Sequence, residues 1–255
     1  MPQPQNHSGM VTAAVLVIGD EILSGRTKDT NTNYIANYLQ QLGIELREAR
    51  TVPDVETEIV DALNALRSRY TYVFTTGGIG PTHDDITADS VGKALGLEVQ
   101  EDPRAIAMLL ERLTPDQLNP ARRRMARVPV GAELIENAIS KAPGFMVGNV
   151  IVMAGVPLIM QSMLDAVAPR LRTGVRVMAE TLDVGNLPEG RYAAKLEEIA
   201  LRHHGSLSIG SYPSFSNNGV RNQIVIRGRD VDLVRQVAQE VREMVGQLTS
   251  DGVPG

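Results

Sequence analysis

The chain has 255 residues, 43% of them hydrophobic and 4% aromatic, with no tryptophan and a formal net charge of −5. Without cysteine it has no disulfide, thiolate metal site or cysteine nucleophile, a usage that fits a reducing, cytoplasmic compartment. An acidic chain poor in aromatics lacks the footprint of a nucleic-acid binder, and no apolar run approaches the roughly 20 residues of a membrane span.

Residues 1–10 read as a polar, disordered lead without the charged and apolar segments of a secretory signal. Residues 12–19 (TAAVLVIG) are a continuous apolar run, the pattern of a strand buried on both faces of a parallel sheet. The run ends at Asp20 and Glu21, which places two carboxylates at the edge where open α/β sheets bind ligands. Thr30 and Asn31 cap a helix whose inner face is Ile35, Leu39 and Leu42, stopped by Gly43. Residues 44–52 form the second strand, and Pro53-Asp54 opens a helix with Asp54 as N-cap and Ile59, Leu63 and Leu66 inward. Residues 72–76 form the third strand. Repeated strand–helix units of this length imply right-handed crossovers and an α/β fold with a doubly wound, mostly parallel sheet. Asp20, Asp54 and Asp85 each follow a strand, so they converge at one sheet edge.

The third strand passes through Thr75 and Thr76 into Gly77, Gly78 and Gly80, then Pro81, Thr82 and the adjacent carboxylates Asp84 and Asp85; a helix begins at about Thr87. Glycines let backbone N–H groups approach a phosphate, and a helix start favours negative charge. Carboxylates cannot bind that phosphate themselves, so Asp84 and Asp85 point to a metal or a positioned water. The alternative is a plain strand-to-helix turn with Asp85 or Thr87 as N-cap. The loop is neither a Walker A sequence nor Gly-x-Gly-x-x-Gly.

Further along, Ile106, Leu109, Leu110 and Leu113 share a helical face, and a second short helix spans residues 115–126. That helix brings Arg122, Arg123, Arg124 and Arg127, either as a solvated face or with one or two of them reaching a ligand phosphate. Residues 131–136 form a short strand, 141–145 a tight loop bearing Lys141 and Gly144, and 147–153 a buried strand. Gly155 and Pro157 lead into a helix running to about residue 171, with Pro157 in its first turn. After a boundary near residues 173–174, the order reads strand (175–182), helix (189–203), strand (206–211), strand (221–228) and helix (230–246). This is a small α+β appendage over 175–247 with a frayed tail. His203 and His204 sit at a helix C-terminus, and Ser211-Tyr212-Pro213 and Asn217-Asn218-Gly219 read as loop residues.

Several of these stretches together resemble the molybdopterin-binding (MoaB/Mog) superfamily: Ile18 to Gly25 (IGDEILSG), Asn31-Thr32-Asn33, Thr75 to Thr82 (TTGGIGPT) and Asp84 to Thr87. Asn137 to Phe145 (NAISKAPGF) and Met153 to Pro157 continue the pattern, and the match is nearest to the N-terminal domain of the competence/damage-inducible protein A (CinA) family. The final part, with Pro188 to Tyr192 and Ile209 to Pro213, resembles the corresponding region of FAD synthases. The resemblance implies a three-layer αβα domain over residues 11–172. Members of the wider superfamily bind molybdopterin and adenylylate it with Mg-ATP. Their Val-Pro-Asp and Asp-x-Thr aspartates match Asp54 and Asp85. Gly19-Asp20-Glu21 departs from the adenylyltransferase type. The CinA-type branch implies metal-dependent hydrolysis of dinucleotides such as ADP-ribose or FAD. The further nicotinamide-mononucleotide deamidase domain of full-length CinA proteins is not expected in this chain.

The resemblance thus implies Asp85 and Asp54 as catalytic groups, and the adjacent carboxylate Asp84 is a further candidate from the residues themselves. The CinA-type likeness implies a divalent metal (Mg, Mn, Co or Ni), with potassium as a further cofactor, and the carboxylates Asp20, Glu21 and Asp85 are the candidates to hold that metal. Ligand binding falls to Thr75, Thr76, Gly77, Gly78, Gly80, Pro81, Thr82, Thr87, Asn33, Arg123, Lys141, Gly144, Gly155 and Pro157. The expected ligand is a small nucleotide or pterin, and the expected assembly a homodimer or homotrimer. Three functions stay open: a nucleotide pyrophosphatase, molybdopterin adenylyl transfer, or a catalytically silent nucleotide- or pterin-binding module.

Overall fold

The computed structural model describes residues 10–216 and 219–250; residues 1–9, Asn217, Asn218 and residues 251–255, parts of the expected lead, loop and tail, lie outside the described residues. The chain divides into two units, one ending at Gly174 and one beginning at Val175.

In the first unit the elements run β1 (Val11–Ile18), α1 (Asp20–Leu23), α2 (Asn31–Gln41), β2 (Ile44–Val52), α3 (Glu56–Arg67), β3 (Tyr72–Thr76) and α4 (Thr87–Leu95). They continue with β4 (Val99–Glu101), α5 (Pro103–Leu110), α6 (Pro120–Arg123), β5 (Arg127–Pro129), β6 (Glu133–Ile135), β7 (Gly144–Val147), β8 (Val150–Met153) and α7 (Pro157–Val167). The main sheet has the order β2-β1-β3-β8-β7-β6, with β2, β1, β3 and β8 parallel and β7 antiparallel to both of its neighbours, β8 and β6.

Strand periodicity sorts the core into two layers, because successive side chains of β1 point to opposite faces. Val11, Ala13, Val15 and Val17 meet Ile35 and Leu39 of α2 and Met160, Met163, Leu164 and Val167 of α7. Ala14, Leu16 and Ile18 meet Ile59, Leu63 and Leu66 of α3 and Val91 and Ala94 of α4. Helices therefore cover both faces, and this is the doubly wound, three-layer α/β architecture expected from the sequence. The crossover from β1 to β2 and the one from β2 to β3 lie on opposite faces, so the strand order reverses between β1 and β3. That reversal opens a crevice at the carboxyl ends of those two strands.

Several elements differ from the sequence expectation. Residues 147–153 are not one strand: Gly148, at φ 60°, and Asn149 form a two-residue turn that folds β7 back on β8, with Val147 opposite Val150. Residues 115–126 are not one helix either. A 3₁₀ turn (Pro115–Gln117) precedes α6, which restarts at Pro120 with the Asn119 side chain accepting from the Arg122 N–H, and a second 3₁₀ turn (Arg124–Ala126) follows. Residues 99–101 and 127–129 pair antiparallel as a separate small ribbon. Ala105, Leu109, Leu118 and Ala126 form a minor core, whereas Leu110 is exposed because α5 ends there. Helix α7 stops at Val167 and a 3₁₀ turn (Ala168–Arg170) completes the expected length.

The second unit comprises β9 (Met178–Asp183), α8 (Glu189–Arg202), β10 (Leu207–Ser216), β11 (Gly219–Gly228) and α9 (Val231–Ser250), with the antiparallel order β10-β11-β9. Tyr192, Leu196 and Ile199 of α8 and Val234, Val237, Ala238 and Val241 of α9 pack on Leu182, Ile224 and Ile226. Ser211-Tyr212-Pro213 is strand, not loop: β10 lies at the sheet edge, where a proline's missing N–H leaves no ladder bond unmade. Helix α9 runs to Ser250, past the point at which fraying was expected. His203 caps α8, with its imidazole 3.9 Å from the Glu240 carboxylate.

Candidate functional site

The crevice between β1 and β3 is built from glycine geometry. Gly77, at φ 105°, ends β3 so close to β1 that a Cβ there would lie 2.1 Å from the Ile18 carbonyl oxygen. Gly78, at φ 66°, lies over Thr87: a Cβ would meet the Thr87 hydroxyl at 2.2 Å. Thr87 donates its N–H to the Gly78 carbonyl and its hydroxyl to the Gly77 carbonyl, both at 3.0 Å, which ties the loop to the first turn of α4. The Gly77 amide is taken by the Met153 carbonyl. The Gly78 and Ile79 amides take no partner among the described residues, and they sit at the head of a nine-residue helix. Thr75, Thr76 and Thr87 are buried, and the Thr75 hydroxyl has no hydrogen-bond partner among the described residues.

Asp85 is neither the N-cap of α4 nor turned toward the other carboxylates. Its side chain reaches back over its own loop, accepting from the Gly80 N–H at 2.6 Å, the Thr82 N–H at 2.7 Å and the Thr82 hydroxyl at 2.6 Å. Ile86 stands at the cap position without a side-chain bond. Asp85 therefore fixes the shape of the Gly80-Pro81-Thr82 turn, and Pro81 and Thr82 are exposed on it. Gly80 leaves room for that carboxylate, since a Cβ would come within 2.7 Å of it.

A second group of carboxylates forms around Asp54. Asp54 is not the cap of α3, where Val55 occupies the position without a side-chain bond. Instead its carboxylate accepts the Asp20 N–H at 3.0 Å, joining the exits of β1 and β2. Burial first, and then the charges of Asp20, Glu21 and Asp84, push the Asp54 carboxyl above its ordinary range, against the lowering effect of the Asp20 N–H. Asp84, exposed, is held below its ordinary range by the neighbouring Thr82 hydroxyl first, with the Arg124 charge contributing. The structure thus joins Asp20, Glu21, Asp54 and Asp84 electrostatically and assigns Asp85 to the loop. Among the described residues, no three acidic or histidine side chains are gathered closely enough to enclose a metal on their own.

Other expected ligand residues are placed differently. Asn33 is exposed on α2 and accepts from Asn37, whereas Asn31, two positions earlier and so on the opposite helix face, is buried. The Asn31 Nδ2 donates at 2.7 Å to the carbonyl of Gly155, at the exit of β8. A Cβ at Gly155 would lie 3.3 Å from the Gly77 Cα, so this exit abuts the glycine loop. Thr30 stands at the N-cap of α2 as expected but makes no side-chain bond there; Asp29 supplies that bond, accepting the Thr32 N–H at 3.1 Å. Pro157 opens α7 as expected. Gly144 serves packing: a Cβ there would meet the Val152 carbonyl at 2.4 Å.

The cations are largely engaged elsewhere. Lys141, at φ 64°, pairs with Glu111 at 2.6 Å in a turn organised by the buried Asn137. Arg123 grips Glu101 through Nε at 3.0 Å, and Arg127 grips Asp89 in a two-pronged bond of 2.7 and 2.9 Å. Arg124 is the member of the run that reaches the loop, donating to the Asp85 carbonyl at 3.3 Å. In the sequence Arg124 is one of four arginines that offer a phosphate contact, with Arg123 the one assigned to the ligand. Asn31 lay within the recognised motif but read as a cap.

Residues 14–173 match the family described as "Probable molybdopterin binding domain", and residues 176–251 match the family described as "FAD synthase, middle domain". A CinA-like protein of Geobacter sp. (strain M21) is 38% identical over 217 residues, which is 74% of this chain and 52% of that protein, so the chain spans about half its length. A protein of Caldivirga maquilingensis is 32% identical over 250 residues, covering 93% of this chain and 97% of that one. The crystal structure of CinA from Thermoplasma acidophilum, described as of unknown function, aligns with a TM-score of 0.60 at 35% identity, covering 64% of this chain and 99% of that one. Among the described residues, no helix is long and apolar enough to cross a membrane. With its fold, its glycine loop and most of its first unit accounted for by these matches, the chain belongs to the molybdopterin-binding-domain (MoaB/Mog) superfamily, as a CinA-like member.

Proposed function

We propose that the chain is a metal-dependent nucleotide pyrophosphatase that splits a dinucleotide such as FAD or ADP-ribose into two monophosphates. One juxtaposition carries this reading: the Gly78 and Ile79 amides, without a partner among the described residues, belong to the loop that abuts the exit of β1, where the Asp20 N–H meets the Asp54 carboxylate. Amides at a helix start suit a diphosphate, and a carboxylate group beside them suits a cation that shares that diphosphate.

The all-oxygen donor set fits Mg²⁺ or Mn²⁺, and the mutual repulsion registered at Asp54 is of the kind a bound cation relieves. Asp20, Glu21, Asp54 and Asp84 would hold it. When bound, such an ion neutralises developing phosphoryl charge and lowers the pKa of its water. The chain's own residues do the rest. Gly78 and Ile79 amides orient the diphosphate, Asp85 keeps the loop in the shape that presents them, and a carboxylate of the Asp54 group accepts the proton of the attacking water. A P–O bond to that water oxygen forms, the bridging P–O bond breaks, and the bridging oxygen leaves on the second phosphate.

The match of residues 176–251 to the FAD synthase middle domain supports placing FAD first among substrates. A second reading, binding or adenylylation of molybdopterin in the same crevice, is favoured by the family match over residues 14–173. Monophosphate release from FAD and ADP-ribose under Mg²⁺ or Mn²⁺ supports the first reading. Saturable molybdopterin binding with nucleotide transfer from ATP and no dinucleotide cleavage supports the second.

A further inference from the structure

Four arginines lie within six positions, and three have firm partners. Arg122 donates to the Gln117 carbonyl at 2.9 Å, Arg123 binds Glu101, and Arg127 binds Asp89. Arg124 alone turns to the glycine loop. Its Nη2 makes a long bond, 3.3 Å, to the Asp85 carbonyl, and its Nε is buried with no partner among the described residues. A guanidinium offers five donors in a rigid fork, and one long bond leaves most of that capacity without a partner among the described residues. A buried donor without an acceptor is costly, and such costs persist where a ligand supplies the missing acceptor.

The surroundings specify the ligand chemistry. Arg124 stands behind the turn that carries Asp84 and Asp85, and its charge is felt at Asp84. The loop amides of Gly78 and Ile79 offer directional bonds but no full charge, and the nearby acids oppose an anion. A dianionic or longer phosphate therefore needs a cation on the protein side, and a forked arginine is the side chain best matched to phosphate oxygens.

We infer that Arg124 is a ligand-contacting residue that binds the second phosphoryl group of a nucleoside diphosphate moiety and so selects for a diphosphate over a monophosphate. The inference rests on the nucleotide reading above, and Arg124 replaces Arg123 as the member of the run that meets the ligand. A purely structural arginine, holding the loop through the Asp85 carbonyl, would favour mono- and diphosphates alike.

The test is calorimetric binding of AMP and ADP, with Mg²⁺ present throughout, to the wild-type chain and to Arg124→Gln and Arg124→Lys. Wild type is expected to bind ADP about ten- to a hundredfold more tightly than AMP, the range of a charged hydrogen bond. Arg124→Gln should bring that ratio near one while AMP affinity changes little, and Arg124→Lys, with charge but no fork, should lie between. Comparing ratios rather than affinities cancels any general loosening of the loop. An unchanged ADP:AMP ratio in Arg124→Gln, or an equal loss for both nucleotides, overturns the inference. If the ratio collapses as expected but no dinucleotide is cleaved by wild type, the hydrolase reading fails while Arg124 keeps its role. If wild type binds neither nucleotide, both fall.

Discussion

The Asp20 backbone N–H donates to the Asp54 carboxylate at 3.0 Å, so the acid that follows β2 holds the first turn of the chain beyond β1. Asparagine can accept the same bond without bringing a partly buried charge among Asp20, Glu21 and Asp84. Because the Asp54 pKa is raised on folding, its contribution favours the fold at low pH and is lost as pH rises through the folded value. With EDTA present at pH 7, Asp54→Asn is therefore expected to melt at or above the wild-type temperature. Its turnover should fall on the order of a hundredfold or more, as loss of a charged catalytic group does. A clear drop in Tm would show that Asp54 serves structure instead.

Asp85 should behave in the opposite sense. Asp85→Ala leaves the Gly80 N–H, the Thr82 N–H and the Thr82 hydroxyl without their acceptor. The expected loss is about 1–3 kcal/mol in urea unfolding, since part of the turn can turn to water. A variant as stable as wild type would mean that Asp85 does not shape the turn.

Gly77 and Gly155 lie side by side and should respond differently to alanine. At Gly77 the new Cβ would meet backbone, the Ile18 carbonyl, at a φ of 105°. The cost should be about 2–4 kcal/mol. At Gly155 the nearest atom is 3.3 Å away and the site is exposed, so the change should stay within about 1 kcal/mol. Equal Tm shifts for the two variants would contradict the packing described.

Glu48 links β2 to the segment after α3 through the Tyr70 hydroxyl at 2.6 Å, and it pairs with Arg50 on its own strand. The Tyr70 bond first, then the Arg50 bond, hold its carboxyl below the ordinary range. The corresponding stability is present above the unfolded glutamate value of about 4.3 and is lost as pH falls through the folded value. Melting curves from pH 7 down to about pH 3 should show wild type losing more Tm than Glu48→Gln. Parallel curves would remove Glu48 from the acid response.

The parallel half of the sheet was legible because β1, β2 and β3 are apolar or alternating runs bounded by glycine and proline, and α2 to α4 show helical periodicity. The antiparallel half is not: Gly148-Asn149, a two-residue hairpin signal, lies inside an apolar run that reads as one strand. Pro213 reads as a loop residue because a single sequence does not reveal which strand is at an edge. At the site, the glycines and the set of acids were visible as residue types. Which acid faces which partner was not, since adjacent Asp84 and Asp85 differ only in side-chain direction. The same holds for Arg123 and Arg124, one turned to Glu101 and the other to the loop.

The most direct measurement is release of monophosphates from FAD, ADP-ribose, NAD and ATP. Each is assayed with Mg²⁺, Mn²⁺, Co²⁺ or Ni²⁺, with potassium present, by wild type, Asp54→Asn and Asp85→Asn. The expected result is cleavage of FAD or ADP-ribose to two monophosphates, abolished by EDTA and reduced by orders of magnitude in both variants. No product from any substrate–metal pair, or a near-normal rate in Asp54→Asn, would contradict a pyrophosphatase centred on the β1–β3 crevice.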